Sequence, residues 1–488
     1  MKIFVFLKIT FKMKEVQQIM ETGKHTKNTI SKSENMLAEG SFSQLLVKLC
    51  IPTVVVILVM IVYNMADTYF IGQTGNPDKI AAISLSMPFF TILSGVATLF
   101  GNGGCTSISM ALGRKDYDKI KSFCSICCYC GVAIGIVFML IVLVAIRPIA
   151  TMLGADEGTM EFTCQYLQIF SLGAPFVMFN HTFNSVIRAD GAASQSMVSN
   201  LLGTVSNIVL DALFIMVFHW DVAGAALATV IGNVLTSVYL VYYLWKKQPA
   251  FRPYPKYFTL KKEYLVPVLT LGLPMCCSTM LNSVSHMISN RMMIGYGSVV
   301  LSAQSVAGKL SMVITMLLMA FCMGMQPAIS YNYGRGDFKR MYDVIRKTGI
   351  FTVVLGFVLS AGCYVARTPI ISAFIDNEEV IAYGQIMVLA SICTGPFYGI
   401  YQLCQTFMQA TGQAAYATFT ALLDKGLFYL PILFLMNYLF KMYGIAFSAA
   451  VTLIFALAVG VALALKWNKK IKETTQETIS PVPSQSLR

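Results

Sequence analysis

Gly113-Arg114-Lys115-Asp116, which closes one long apolar run, recurs 221 positions later as Gly334-Arg335-Gly336-Asp337, which closes another. The same interval separates Pro148-Ile149 from Pro369-Ile370, Pro175-Phe176 from Pro396-Phe397, and Ala189-Asp190-Gly191 from Ala410-Thr411-Gly412. Ile51-Pro52 against Leu273-Pro274, and Gly224 against Gly444, depart from it by one. An interval held over this much chain marks a duplicated unit. Crossing the hydrocarbon layer takes about 20 apolar residues in a helix. Runs of that kind lie near 46–71, 80–110, 123–146, 162–187, 195–218 and 222–245, then near 264–293, 300–332, 348–366, 381–409, 414–438 and 443–465. The expected fold is an all-α integral membrane protein with twelve transmembrane helices in two pseudo-symmetric six-helix bundles. Because each copy has an even number of spans, the copies share one orientation, an arrangement of secondary transporters.

Composition points the same way. Of 488 residues, 56% are hydrophobic and 12% charged, where a soluble domain carries about a quarter charged residues. That excludes an ordinary cytosolic enzyme. Lys and Arg number 36 against 23 Asp and Glu, and the excess lies in loops, so it reads as topology rather than as nucleic-acid binding. The cations cluster at Arg114, Lys115, Lys119 and Lys121, at Lys246 to Lys262, at Arg335 to Lys347, and at Lys466 to Lys472, while the intervening loops carry Asp156, Glu157, Glu378 and Glu379. By the positive-inside rule both termini are cytoplasmic. The expected organisation is a cytoplasmic tail at 1–40, an N-lobe of six spans at 41–246, a cytoplasmic linker at 247–263, a C-lobe of six spans at 264–466, and a cytoplasmic tail at 467–488. The thirteen cysteines fall in apolar spans as small hydrophobes, and the cluster Cys124, Cys127, Cys128, Cys130 lacks a nearby His that a metal site would use.

Two acids stand inside the spans, Asp67 in the first and Asp211 in the fifth. A carboxylate at membrane depth is costly unless it meets a cavity, a cation or a partner, which makes it a functional candidate by default. Tyr63 and Asn64 precede Asp67 by about one helical turn, and Asn207 precedes Asp211 by another, so each shares the face of its acid. Thr229 of the sixth span adds a hydroxyl. Carboxylate, amide and hydroxyl oxygens suit a small hard cation such as Na+, and two neighbouring carboxylates in a low dielectric equally suit a proton. The plainer reading is that these polar groups hold helices together. Met60, Met178 and Asn180 are expected to border a first-lobe cavity, Met for its adaptable thioether. His181 is expected to pack as a neutral imidazole, and so is His286. Pro52 removes a backbone hydrogen bond from the first span and is expected to act as a hinge. In the second half Asn290 takes the place of Asp67, and charges in the seventh and eighth spans are Arg291 and Lys309, so coupling is assigned to the first lobe.

Glu39-Gly40, Ile51-Pro52, Asn64-Met65-Ala66-Asp67-Thr68, Gly113-Arg114, Val186-Ile187-Arg188-Ala189-Asp190-Gly191 and Asn207-Ile208-Val209-Leu210-Asp211, in this order on twelve spans, resemble the multidrug and toxic compound extrusion (MATE) family. The resemblance covers about 36–466 and lies with the MepA-like and DinF-like branch. It implies a secondary active multidrug efflux transporter of a bacterial inner membrane, associated with antibiotic resistance. Such a protein exports amphipathic cationic drugs or dyes in antiport with Na+ or H+, with no cofactor beyond that ion. It contacts membrane lipid, works as a monomer and has no nucleic-acid partner. It also implies that Asp67, Asn207, Asp211 and Thr229 form the cation site of the N-lobe. Family members often carry an Arg early in the eleventh span, where this chain has Asp424-Lys425, a pair expected to neutralise itself. Three rivals fit less well. A lipid-linked oligosaccharide flippase of the same superfamily lines its cavity with many cations, which these spans lack. A membrane enzyme or receptor leaves the tandem repeat without a purpose, and no metal-binding His/Glu pair, phosphate loop or Ser nucleophile motif is present. The major facilitator signature after the second span is absent as well.

Overall fold

A computed structural model describes residues 34–72, 77–247, 249–374 and 378–479, and the side chains of 64–69 lie outside the described residues. Among the described residues every regular element is a helix. Nine stretches are single helices long and apolar enough to cross a membrane, and two bent pairs raise the number to eleven. The last stretch, Ala414–Glu473, has 60 residues, about twice what one span needs. It breaks at Lys441, whose backbone sits at φ 54, ψ −133, so it holds two spans and the total is twelve.

The repeated motifs turn out to be the joints of this architecture. Gly113-Arg114-Lys115-Asp116 reverses the chain between the second span, Pro77–Gly113, and the third, Tyr117–Val144. Lys115 takes φ 59 and its repeat mate Gly336 takes φ 81, the left-handed conformation that glycine adopts without steric cost. The following acid then caps the next helix: Asp116 Oδ1 accepts from the Lys119 N–H at 3.2 Å, and Asp337 Oδ1 accepts from the Arg340 N–H at 3.0 Å. A side-chain acceptor at this position satisfies an amide that the first turn leaves unpaired. Pro175 and Pro396 mark the bends. The fourth span is Met160–Leu172 joined to Ala174–Asp190 at 53°, and the tenth is Ile381–Ala390 joined to Gly395–Ala410 at 41°. Proline has no N–H to continue the ladder and fits best at a helix start.

The chain forms two compact units, one of 1–272 with 327–344, the other of 273–326 with 345–488. They divide the seventh span, Lys262–Ile294, and the eighth, Ser298–Arg335, internally. The linker at 247–263 is docked in the first unit. Phe251 is fully buried, Ser125 donates to the Tyr254 carbonyl at 3.0 Å and Tyr129 to the Pro253 carbonyl at 3.3 Å.

The expected tail at 1–40 needs correction over its last part, while 1–33 lie outside the described residues. Residues 34–39 are helical. Leu37 is fully buried, and its carbonyl accepts from Asn332 Nδ2 at 3.0 Å. Tyr117 donates to Glu34 at 2.9 Å, and Arg340 donates to the Gly40 carbonyl. The apolar side chains Met36 to Ala38 sit between charged neighbours, so the segment has a hydrophobic face to bury although its surroundings in sequence are polar. Leu37→Ala is expected to cost about 2–5 kcal/mol as a cavity at a closed site. The readout is a lower apparent melting temperature in detergent, and an unchanged one would show that the segment is not part of the folded unit.

Candidate functional site

Asn207 and Asp211 stand one turn apart on the fifth-span helix Ala193–Asp211 and are buried to 4% and 0% exposure. Beyond Asp211 the span continues as a π-helical turn, Ala212–Val217, an irregularity found mostly at functional positions. Thr229 belongs to the sixth span, Asp221–Lys247. The fifth and sixth spans approach at backbone distance. A Cβ on Gly232 would lie 2.8 Å from the Gly203 carbonyl oxygen, and Thr236 donates to the Ser199 carbonyl at 3.2 Å. Small residues permit such crossings in membrane bundles, and this one sets Asn207 opposite Thr229.

The amide of Asn207 is oriented by its surroundings, in the sense that gives both of its ends a partner. Nδ2 donates to Asp211 Oδ2 at 3.0 Å, and Oδ1 accepts from the Thr229 N–H at 2.9 Å and from Thr229 Oγ1 at 3.3 Å. A fully buried carboxylate is tolerable only with such hydrogen bonds or a counter-charge. The network extends along the sixth span. Asn233 donates to the Thr229 carbonyl at 2.8 Å, Asn180 Nδ2 donates to Asn233 Oδ1 at 3.0 Å, and Ser237 donates to Asn180 Oδ1 at 2.8 Å. Asp211, Asn207 and Thr229 thus form one hydrogen-bonded group across two adjacent spans, with the amide nitrogen of Asn207 on the carboxylate and its oxygen on Thr229.

The other expected residues fall as follows. Asp67 and Asn64 lie on the first-span helix Ile51–Gly72, but their side chains lie outside the described residues. The first span packs along the fifth. Tyr63 is half-buried and Met60 is 47% exposed. Met178 is fully buried, a correction to its expected place at a cavity wall, because its side of the fourth span packs into the unit. Asn180 is likewise a buried cross-link between the fourth and sixth spans rather than an open contact for a guest. His181, expected to pack, is exposed. Pro52 is buried directly after a π-helical turn, Leu46–Cys50, in which the Ile51 N–H reaches back to the Leu46 carbonyl. The wide turn absorbs the hydrogen bond that Pro52 cannot make. Sequence reasoning missed Asn233 and Ser237, although their spacing of four and eight from Thr229 places all three on one helical face. It also missed Lys79 and Asp221, an ion pair at 2.5 Å that joins the start of the sixth span to the second. Nothing in the sequence marked that pair across the interval between them.

The MatE family profile matches residues 52–213 and again 274–435, one copy for each half of the repeat. The multidrug export protein MepA of Staphylococcus saprophyticus is 33% identical over 398 residues, covering 82% of this chain and 88% of that protein. MepA of Staphylococcus aureus is 31% identical with the same coverage. Among solved structures, a MATE in complex with MaL6 superposes with a TM-score of 0.85 at 20% identity, over 90% of this chain and 99% of that one. An outward-facing multidrug resistance MATE transporter of the MOP superfamily gives 0.83 at 19%, over 90% and 98%. At such identities the structural match speaks for the fold, and the sequence matches speak for the family. The chain is a multi-pass protein of the cell membrane, a transporter and not an enzyme, and it belongs to the MatE family.

Proposed function

We propose that this transporter exports amphipathic organic cations from the cytoplasm in antiport with Na+ or H+, with the ion binding at Asp211, Asn207, Thr229 and Asp67. The observation that carries the reading is the fully buried Asp211 carboxylate held by Asn207 beside Thr229. Its relatives named for multidrug export support the substrate class. The cycle follows from linkage. Ion and drug favour different conformations, and the difference in affinity between those conformations supplies the coupling. Cations on the loops after the second, sixth and eighth spans support a topology with both termini in the cytoplasm of a bacterium, and one chain holding both repeats supports a monomer as the working unit. Efflux of a fluorescent dye cation from proteoliposomes, first with a Na+ gradient and then with a pH gradient, tests the proposal. At least one gradient is expected to drive efflux above the ion-free baseline. Efflux that ignores both would overturn antiport.

A further inference from the structure

The second unit holds its own charged cluster. Asp424 and Lys425 lie in a π-helical turn of the eleventh span, Leu423–Leu427, and Lys425 Nζ stands 3.0 Å from Asp424 Oδ2. Adjacent positions on a regular helix diverge and do not face each other, and here the pair meets where the helix is irregular. Both acids of the fifth and eleventh spans thus adjoin a π-helical turn, Asp211 before one and Asp424 within the other. The copies differ in chemistry, since the first offers oxygens and the second offers donors.

The two members of the pair are not equally sheltered. The Asp424 side chain is 9% exposed and the Lys425 side chain 30%, so Lys425 is the more accessible member of the pair. An ammonium has three donors and no acceptor, and the hydrogen bond to Asp424 uses one. Around it stand further donors from three spans: His286 of the seventh, Tyr398 of the tenth and Tyr429 of the eleventh, each within electrostatic reach of Lys425. The backbone beneath is pinned by Ser285, which donates to the Lys425 carbonyl, and by Tyr401, which donates to the Thr420 carbonyl at 2.9 Å. Helix adhesion alone asks for a pair sealed on both sides, whereas this one presents a cation with two uncommitted donors beside exposed His286. An anionic acceptor would meet the remaining ammonium donors of Lys425, with Asp424 as the acid beside it.

Building on the export reading, we infer that Lys425, positioned by Asp424 and flanked by His286, Tyr398 and Tyr429, binds an anionic acceptor group, a carboxylate, carried by a subset of the exported amphipathic compounds. Asp424 fixes the ammonium and offsets its charge when no such substrate is bound. Lys425 therefore sorts zwitterionic guests from simple cations and has no part in ion coupling.

The test uses the purified full-length protein and two probes, a rhodamine bearing a free carboxylate and the methyl ester of the same dye. Binding is followed by fluorescence anisotropy. Lys425→Met is expected to weaken the carboxylate dye at least about tenfold, the effect of losing one charge-assisted hydrogen bond, and to leave the ester within about twofold. Lys425→Arg is expected to restore the carboxylate dye. Because Lys425→Met leaves Asp424 buried without its partner, the double variant Asp424→Asn/Lys425→Met is measured beside it and is expected to show the same selective loss. Equal losses on both dyes, or none on either, overturn the inference. Wild-type protein that carries both dyes out of vesicles, with the carboxylate dye carried equally well by Lys425→Met, sinks this inference alone. Wild-type protein that carries neither dye removes the export reading along with it.

Discussion

Asp211→Asn is expected to abolish ion-driven efflux while leaving a folded protein in the membrane. The substitution keeps shape and keeps an oxygen for Asn207 to donate to, so the fifth span stays packed against the sixth. What disappears is a group able to ionise at a place with no measurable exposure. Removing one partner of a buried ionic contact costs about 3–5 kcal/mol, which is more than a hundredfold in ion affinity. The opposite expectation holds if the polar network only glues helices. Neutralising a buried carboxylate then spares its desolvation, and the variant is as active and as stable as the parent or more so. Efflux from proteoliposomes together with the thermal midpoint in detergent separates the cases. Lost efflux at an unchanged midpoint supports coupling, and retained efflux removes Asp211 from the mechanism.

The twelve spans were legible because membrane depth leaves the backbone few options. Without water to satisfy its polar groups, a lipid-facing segment is helical throughout, and hydropathy alone locates it. The repeat added the joints. Gly336 and Lys115 hold the same left-handed turn, and Asp116 and Asp337 the same cap, so the motif survived in both halves for a local reason that sequence can express. Two features were not legible. The Leu37 segment lies among polar residues, and its burial depends on Asn332, almost 300 positions away. The internal division of the seventh and eighth spans depends on which helices they touch, which hydropathy does not record.

The candidate site was half legible. Asp211 stood out because an acid at membrane depth requires an explanation, and Asn207 and Thr229 followed from helical spacing and the family resemblance. The sequence places Met178 and Asn180 on a span expected to border a cavity, but spacing within one span does not say which neighbour each residue faces. The fourth span bends by 53° at Gly173, and the packing around that bend put both residues inside. Asn180 then became the link from the fourth span to Asn233 and Ser237, so it supports the sixth-span face that carries Thr229 without itself being open to a guest.

Gly272→Leu is expected to produce a protein that inserts and folds but transports about five- to a hundredfold more slowly. In the first unit the seventh span crosses the second at reciprocal backbone contacts: a Cβ on Gly272 would lie 1.8 Å from the Leu99 carbonyl oxygen, and one on Gly103 would lie 1.8 Å from that of Val268. A second reciprocal pair joins the second span to the eighth, where a Cβ on Gly113 would lie 2.2 Å from the Tyr331 carbonyl oxygen and one on Gly334 would lie 2.3 Å from that of Met110. Each glycine is there because no side chain fits between the chains. The obstacle at Gly272 is backbone, which cannot turn aside as a flexible side chain does, so Leu must push the helices apart. Overpacking of this kind costs about 1–3 kcal/mol, and a cost borne by one conformation only shifts a two-state equilibrium by about tenfold per 1.4 kcal/mol. On the proposed antiport cycle this crossing is expected to tighten once per turnover, so the shift is expected to act on rate rather than on folding. Gly362→Leu is the control, because a Cβ at Gly362 meets nothing within 4 Å. Efflux is expected to be normal in Gly362→Leu, intermediate in Gly272→Ala and nearly lost in Gly272→Leu. Full efflux in Gly272→Leu would mean that the crossing of the second and seventh spans is not part of the cycle.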